Sequence, residues 1–277
     1  MIDAVTEEVL TYGQLRKGSL RLGQGLAAKG LGKGKTILIF SPNTLLYTVL
    51  LFGGVAAGVT VSTANGSYTA TELGQLPVSI LYPELIINLI AHSIKLSGAS
   101  IVLAYSDLLP VALEAIKLVP GLAQDNIYLL PGSDGKITKG FKNWTELNGT
   151  DSDDSFKAVK FTPKELKETV AFLPFSSGTT GMGNFLRIRR KELELMKCVG
   201  KGVAITHSNV TSVGLQLSKV EIFSHQEVVI GVLPLYRKFL RLQIVRSLLI
   251  MIRHLWIGRS PQCIDLQRIY DYFNDQI

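Results

Sequence analysis

Ser176, Ser177, Gly178, Thr179, Thr180 and Gly181 form an unbroken run of small and hydroxyl-bearing residues directly after the apolar stretch Thr169–Phe175 (TVAFLPF). The apolar stretch reads as a buried strand, which delivers the run to a loop at the strand's carboxyl end. Two glycines let successive backbone N–H groups converge, and four hydroxyls add donors around them. Such a loop can grip the oxygens of a polyphosphate. The same composition is also ordinary loop chemistry, so the residues alone leave both readings open.

The elements that must position this loop alternate between helix and strand patterns. TYGQLRKGSLRLGQGLAAKGL, with Leu15, Leu20, Leu22, Leu26 and Leu31, reads as an amphipathic helix. TILIF, the cap SPN, the helix TLLYTVLLFGGVAAG and the strand VTVST read as a βαβ unit buried on both faces. Then come HSIKLSGA as helix, SIVLAY as strand, DLLPVALEAIKLV as helix and NIYLLPG as strand. Alternation of this kind predicts an α/β fold of layered mixed sheets with flanking helices. The polar, acidic stretch 149–155 (GTDSDDS) is the expected link between residues 1–150 and a phosphate-loop region, 156–236. Two sequences imitate nucleotide motifs. GLGKGKT has Lys29 where a phosphate loop needs glycine and precedes its strand, and Gly23-Gln24-Gly25-Leu26-Ala27-Ala28 lies in a helical pattern with no strand before it.

The 277 residues suffice to enclose a core, and 47% hydrophobic with 18% charged residues excludes a disordered tail or a coiled coil. The uncharged stretch 36–71 raises a membrane-spanning alternative, which Pro42, Asn43 and the glycine-rich, β-branched end argue against. Two cysteines, Cys198 and Cys263, give no disulfide framework, and MIDAVTEEVL lacks the pattern of a secretory leader. A cytoplasmic location is expected. The net charge of +7 is the sum of +3 in 183–199 and +4 in 237–277. A charge so confined does not make the basic, aromatic-studded surface that nucleic acid needs. His207 in THSN reads as a helix cap with Ser208 and Asn209; His92, His225 and His254 show no ligand spacing, and Glu72 and Asp125 stand as isolated carboxylates. No metal site is expected. The apolar run 242–257 with Arg246 and Arg253 leaves a surface-seeking helix as an alternative.

FLPFSSGTTG, GKGVAITHSNV and VIGVLPLY, with TYGQL, GKGKTILIFSPNT, FGGVAAGVTVSTANGSYTATEL and IKLSGASIVL upstream, occur in one order over residues 11–235. Together they resemble the adenylate-forming superfamily of AMP-dependent acyl-CoA synthetases, in its 4-coumarate–CoA ligase-like branch. The resemblance implies an ATP-phosphate loop at Ser176–Gly181 and a loop lysine at Lys201, which would offset charge on the phosphates. It also implies a carboxylic acid, ATP, Mg²⁺ and CoA as reactants, with a peroxisomal location for full-length relatives.

The chain departs from the family pattern in three places. Removing 183–199 restores SSGTTG-M-GKGVAITHSN, and removing 74–90 joins SYTATEL to AHSIKLSGA; each excision takes out 17 residues. After Tyr236 the family has histidine and a glycine-containing turn, whereas here Arg237 begins a divergent tail, 237–277. These segments read as translated non-coding sequence, genuine insertions being the alternative, and they are expected to pack poorly. Lys201 is then unconstrained relative to Gly181. The chain is expected to be an inactive amino-terminal fragment of an acid–thiol ligase, lacking the acidic metal residue, the ribose aspartate and the catalytic lysine that the family places later. A catalytically dead nucleotide-binding protein is the alternative.

Overall fold

The computed structural model describes residues 1–3, 6–65, 83–150, 156–175 and 201–219. Helix α1 (Tyr12–Ala28) starts at Thr11, whose hydroxyl accepts from the Gln14 amide while the Gln14 side chain accepts from the Thr11 amide. This reciprocal cap satisfies two donors that a helix start leaves open. Strand β1 (Thr36–Ser41), helix α2 (Leu45–Ala57) and strand β2 (Thr60–Asn65) follow. The expected cap Ser41-Pro42-Asn43 is corrected here, because Ser41 still belongs to β1 and the hydroxyl that accepts from the helix amide is that of Thr44. Then come α3 (Pro83–Ser97), β3 (Ile101–Tyr105), α4 (Leu109–Lys117), β4 (Ile127–Leu130), β5 (Lys142–Asn143), α5 (Pro163–Glu168), β6 (Val170–Pro174), β7 (Ile205–Thr206) and α6 (His207–Lys219).

Among the described residues the strands make one seven-stranded sheet in the order β5-β4-β3-β1-β2-β6-β7. All neighbours pair parallel except β6 and β7, which pair antiparallel. Strand β1 is central, and alternation along it feeds two cores. Ile37 and Ile39 pack with Leu22 and Leu26 of α1 and Leu50 and Leu51 of α2. Leu38 and Phe40 pack with Ile90 and Ile94 of α3 and Ala112 and Ala115 of α4. All four β1 side chains are fully buried, each worth roughly 1.5–3 kcal/mol of transfer free energy. The chain steps from β1 to β2 in one direction and returns past β1 to β3 in the other. Right-handed crossovers running in opposite directions place α2 and α3 on opposite faces, which gives three α/β/α layers.

Residues 36–65 are thus a βαβ unit, and among the described residues no helix is long and apolar enough to cross a membrane. The helical glycines that imitated a dinucleotide motif serve close packing instead. A Cβ on Gly25 would overlap the backbone of Leu147–Gly149, and one on Gly23 would press against Ala56 and Phe156.

One expectation about 74–90 is corrected. Residues 74–82 lie outside the described residues, but 83–90 are the first half of α3, which begins at Pro83 and not at His92. Ile86 and Ile90 are 0% and 1% exposed, as fully buried as β1 itself. Together with Ile94 they form a stripe at four-residue spacing, and that stripe faces the sheet. Segments 183–199 and 237–277 lie outside the described residues.

Candidate functional site

The apolar segment 169–175 forms β6, buried between β2 and β7, with Val61, Ser62 and Thr63 opposite Phe172, Leu173 and Pro174. Hydroxyls on β2 tie the two strands further: Thr60 donates to the Val170 carbonyl at 2.7 Å and Ser62 to the Leu173 carbonyl at 3.0 Å. The carboxyl ends of β1, β2, β3 and β6 therefore share one edge of the sheet. Around the central strand the winding direction reverses, and in open α/β sheets that edge is where ligands bind. Strand β6 ends at this edge; residues 176–181, next in the chain, lie outside the described residues.

The far end of the loop is described. Phe175 bridges antiparallel to Gly202, and the Val203 amide donates to the Pro174 carbonyl at 2.8 Å. Lys201, exposed, is therefore held one residue from a bridge that closes the loop at its base. The expectation that Lys201 is unconstrained relative to Gly181 concerns a residue outside the described ones; what the bridge fixes is the return of the chain at Gly202 beside Phe175. The backbone at Gly202 packs closely, since a Cβ there would stand 3.3 Å from Leu173 Cδ1 and 3.6 Å from Leu96 Cδ2.

Strand β7 and the start of α6 anchor this return. The cap of α6 is Thr206, whose hydroxyl accepts from the Asn209 amide at 3.2 Å while Asn209 Oδ1 accepts from the Thr206 amide at 3.0 Å. The reading of His207 as a cap is thus corrected. His207 is 5% exposed, its ring centroid lies 4.3 Å from that of Phe161, and its Nε2 is buried with no hydrogen-bond partner among the described residues. Burial, with the Lys33 charge adding to it, pushes the imidazole down from 6.5 to about 4, so it is neutral at physiological pH.

Sequence reasoning missed the cluster around this histidine. Lys33 lies over the Phe161 ring at 4.6 Å and donates to Glu165 Oε1 at 2.7 Å. Glu165 closes a capping box with Thr162 at the head of α5. The hydrogen bonds from Lys33 and from Thr162 hold its carboxyl down at about 2. The Thr162-Pro163-Lys164-Glu165 pattern announces the box, but only the fold brings Lys33 to it across the chain. Asp125 is exposed, with Lys142 Nζ 3.9 Å away, and among the described residues no three His, Cys, Asp or Glu could hold a metal ion. A groove of about 490 Å³ lined by Ile94, Ser100, Val119 and Asn126 lies at the amino end of β3, on the opposite edge of the sheet from the loop.

Comparison with known proteins bears on this edge directly. The profile of the family described as AMP-binding enzyme matches residues 2–183, from the first strand-like bridge through the glycine-rich loop. The chain belongs to that family. It is 27% identical over 240 residues to 4-coumarate-CoA ligase 1 of Narcissus pseudonarcissus, an alignment covering 85% of this chain and 36% of the relative. The red-emitting luciferase of Phrixothrix hirtus superposes with a TM-score of 0.63 at 21% identity, over 90% of this chain and 52% of that one. ATP-bound MatB of Rhodopseudomonas palustris does so with a TM-score of 0.61 at 18% identity, over 89% and 39%. The fold is that of the adenylate-forming synthetases, and the chain spans about a third of the length of the curated ligases it matches.

Proposed function

We propose that this chain is the amino-terminal part of an AMP-forming acid–thiol ligase, in which Ser176, Ser177, Gly178, Thr179, Thr180, Gly181 and Lys201 take the phosphates of ATP. The observation that carries the reading is the family match running through that loop, at the carboxyl edge to which the Phe175–Gly202 bridge returns Lys201. In the reaction a carboxylate oxygen attacks the α-phosphorus, the bond to pyrophosphate breaks, and the thiol of CoA then displaces AMP from the acyl-adenylate. Converging loop amides and hydroxyls would hold the phosphate oxygens. The Lys201 ammonium would stand where charge accumulates as pyrophosphate leaves.

ATP as the nucleotide is supported by the family and by the ATP-bound state of MatB. Mg²⁺ would supply charge neutralisation on the phosphates; among the described residues no group of ligands for it is assigned. The partners are a small carboxylic acid, ATP and CoA, in the cytosol, with peroxisomes the setting for longer relatives. The division into 1–150, 156–236 and the tail 237–277 is part of the same proposal.

A polypeptide of these 277 residues is expected to make no acyl-adenylate. A displacement of about 1 Å at a reacting centre can lower rate on the order of a hundredfold, and 183–199 separates Lys201 from Gly181 along the chain. The test has two arms. Pyrophosphate release with a panel of aryl and fatty acids should be undetectable; acid-dependent release that falls in Lys201→Ala would show a working enzyme. Equilibrium dialysis with ATP should detect binding once 183–199 is deleted, weakened on the order of tenfold by Lys201→Ala. No binding by the folded deletion variant would overturn the phosphate role.

A further inference from the structure

The chain outside 183–199 and 237–277 is neutral in sum, yet its charges are segregated. Residues 29–35 and 156–168 together hold seven lysines and only two acids, Glu165 and Glu168. The fold lays these two segments side by side over the carboxyl end of α2. The Val159 amide donates to the Ala56 carbonyl at 2.9 Å, and a Cβ on Gly58 would stand 3.2 Å from Val159 Cγ1 and 3.3 Å from Lys33 Cγ. The Thr60 amide donates to the Lys35 carbonyl at 2.9 Å, and the Lys33–Glu165 pair at 2.7 Å joins the two segments. Helix α5 runs directly into β6, so Lys164 and Lys167 stand with Lys35 at the edge where β1, β2 and β6 begin.

Lys33 and Glu165 neutralise each other. Lys29, Lys35, Lys157, Lys164 and Lys167 are exposed and form no ion pair among the described residues. Folding does not call for this arrangement. A cation beside a helix's carboxyl end is favourable, which accounts for Lys29 after α1, but the effect fades within a turn. Lys164 sits in the first turn of α5, the end that disfavours a cation. Like charges crowded in this way repel one another, and an anionic partner relieves the repulsion.

We propose that this amino edge of the sheet docks on the surface of an anionic lipid bilayer through Lys29, Lys35, Lys157, Lys164 and Lys167, with no segment inserted. The residue types select the partner. Every charge is a compact ammonium group, without the planar fork that reads a single phosphate bidentately. Phe161 is 3% exposed and Phe156 packs toward Gly23 of α1, so neither ring stands out for a nucleic-acid base to stack on. Diffuse positive charge spread along an edge matches a plane of anionic headgroups. Docked in this way, the chain turns the carboxyl edge of the sheet away from the bilayer. The inference does not depend on the chemistry of the Ser176–Gly181 loop.

Cosedimentation of the full chain with vesicles tests it. Binding is expected to vesicles of phosphatidylcholine mixed with phosphatidylserine, and not to phosphatidylcholine alone; it should be lost in about 1 M salt, where the screening length shrinks to about 3 Å. Each lysine near such a surface contributes about fivefold, so Lys35→Gln/Lys164→Gln/Lys167→Gln should lower the partition coefficient on the order of a hundredfold. Lys29→Gln/Lys157→Gln repeats the test outside α5 and should lower it roughly twenty-fivefold. Lys17→Gln/Lys136→Gln/Lys139→Gln removes equal charge from exposed lysines elsewhere and should lower it less than about fivefold, which separates this edge from the basic segments 183–199 and 237–277. No binding to the mixed vesicles, equal losses in the two triple variants, or tighter binding to duplex DNA than to the vesicles would overturn the inference.

Discussion

Acidification should loosen the return segment through His207. The imidazole is 5% exposed and its Nε2 has no hydrogen-bond partner among the described residues, so the folded state holds the neutral form and its pKa falls to about 4 from 6.5. Protonation is therefore easier in the unfolded chain. Stability contributed by the neutral ring is complete above pH 6.5, is lost as pH falls from there toward about 4, and is constant below. At roughly 1.4 kcal/mol per pH unit the window is worth about 3 kcal/mol. Glu165 also titrates in acid, from 4.5 down to about 2, so the total acid response mixes the two. His207→Leu removes only the first, which makes the difference between the two proteins the quantity to follow. Urea unfolding between pH 7.5 and 4 should show wild type losing about 3 kcal/mol relative to His207→Leu, most of it below pH 6.5. Proton NMR should show a His207 ring resonance titrating near pH 4. A difference that stays flat with pH, or a ring that titrates near 6.5, would refute the assignment of a buried neutral histidine under β7.

Gly25→Ala should lower stability by at least about 2 kcal/mol in thermal unfolding, because its Cβ meets the backbone of Leu147–Gly149 and backbone yields little; Gly13→Ala, with Thr11 Oγ1 at 4.0 Å, is the matched control and should change little. Deleting 183–199 shortens the loop closed by the Phe175–Gly202 bridge from 26 residues to nine. The saving in closure entropy should raise stability by about 1 kcal/mol in urea unfolding, and a loss would show that the segment contributes packing. Full-length messenger RNAs are expected to lack codons for 183–199; a population encoding every residue would refute that reading.

The residue pattern alone determined the alternation of elements. TILIF and IVLAY announce strands buried on both faces, and each lies in the layer its pattern requires. Thr11 with Gln14 and Thr162 with Glu165 carry helix starts in their spacing, because capping is local chemistry that side chains a few residues apart settle between themselves. What depends on distant partners was left to the tertiary structure. Residues 83–90 count as helix because the face around Leu38 and Phe40 stands ready to bury Ile86 and Ile90, and nothing within ELIINLI reveals that face. Lys201 comes beside the end of β6 because Gly202 bridges antiparallel to Phe175, a pairing set across 26 residues of intervening chain. His207 changes from cap to buried ring because Phe161 and Lys33, remote in sequence, converge on it. Local propensity and capping act over a turn or two, whereas burial and the pKa of a side chain depend on which surfaces the completed sheet brings against it.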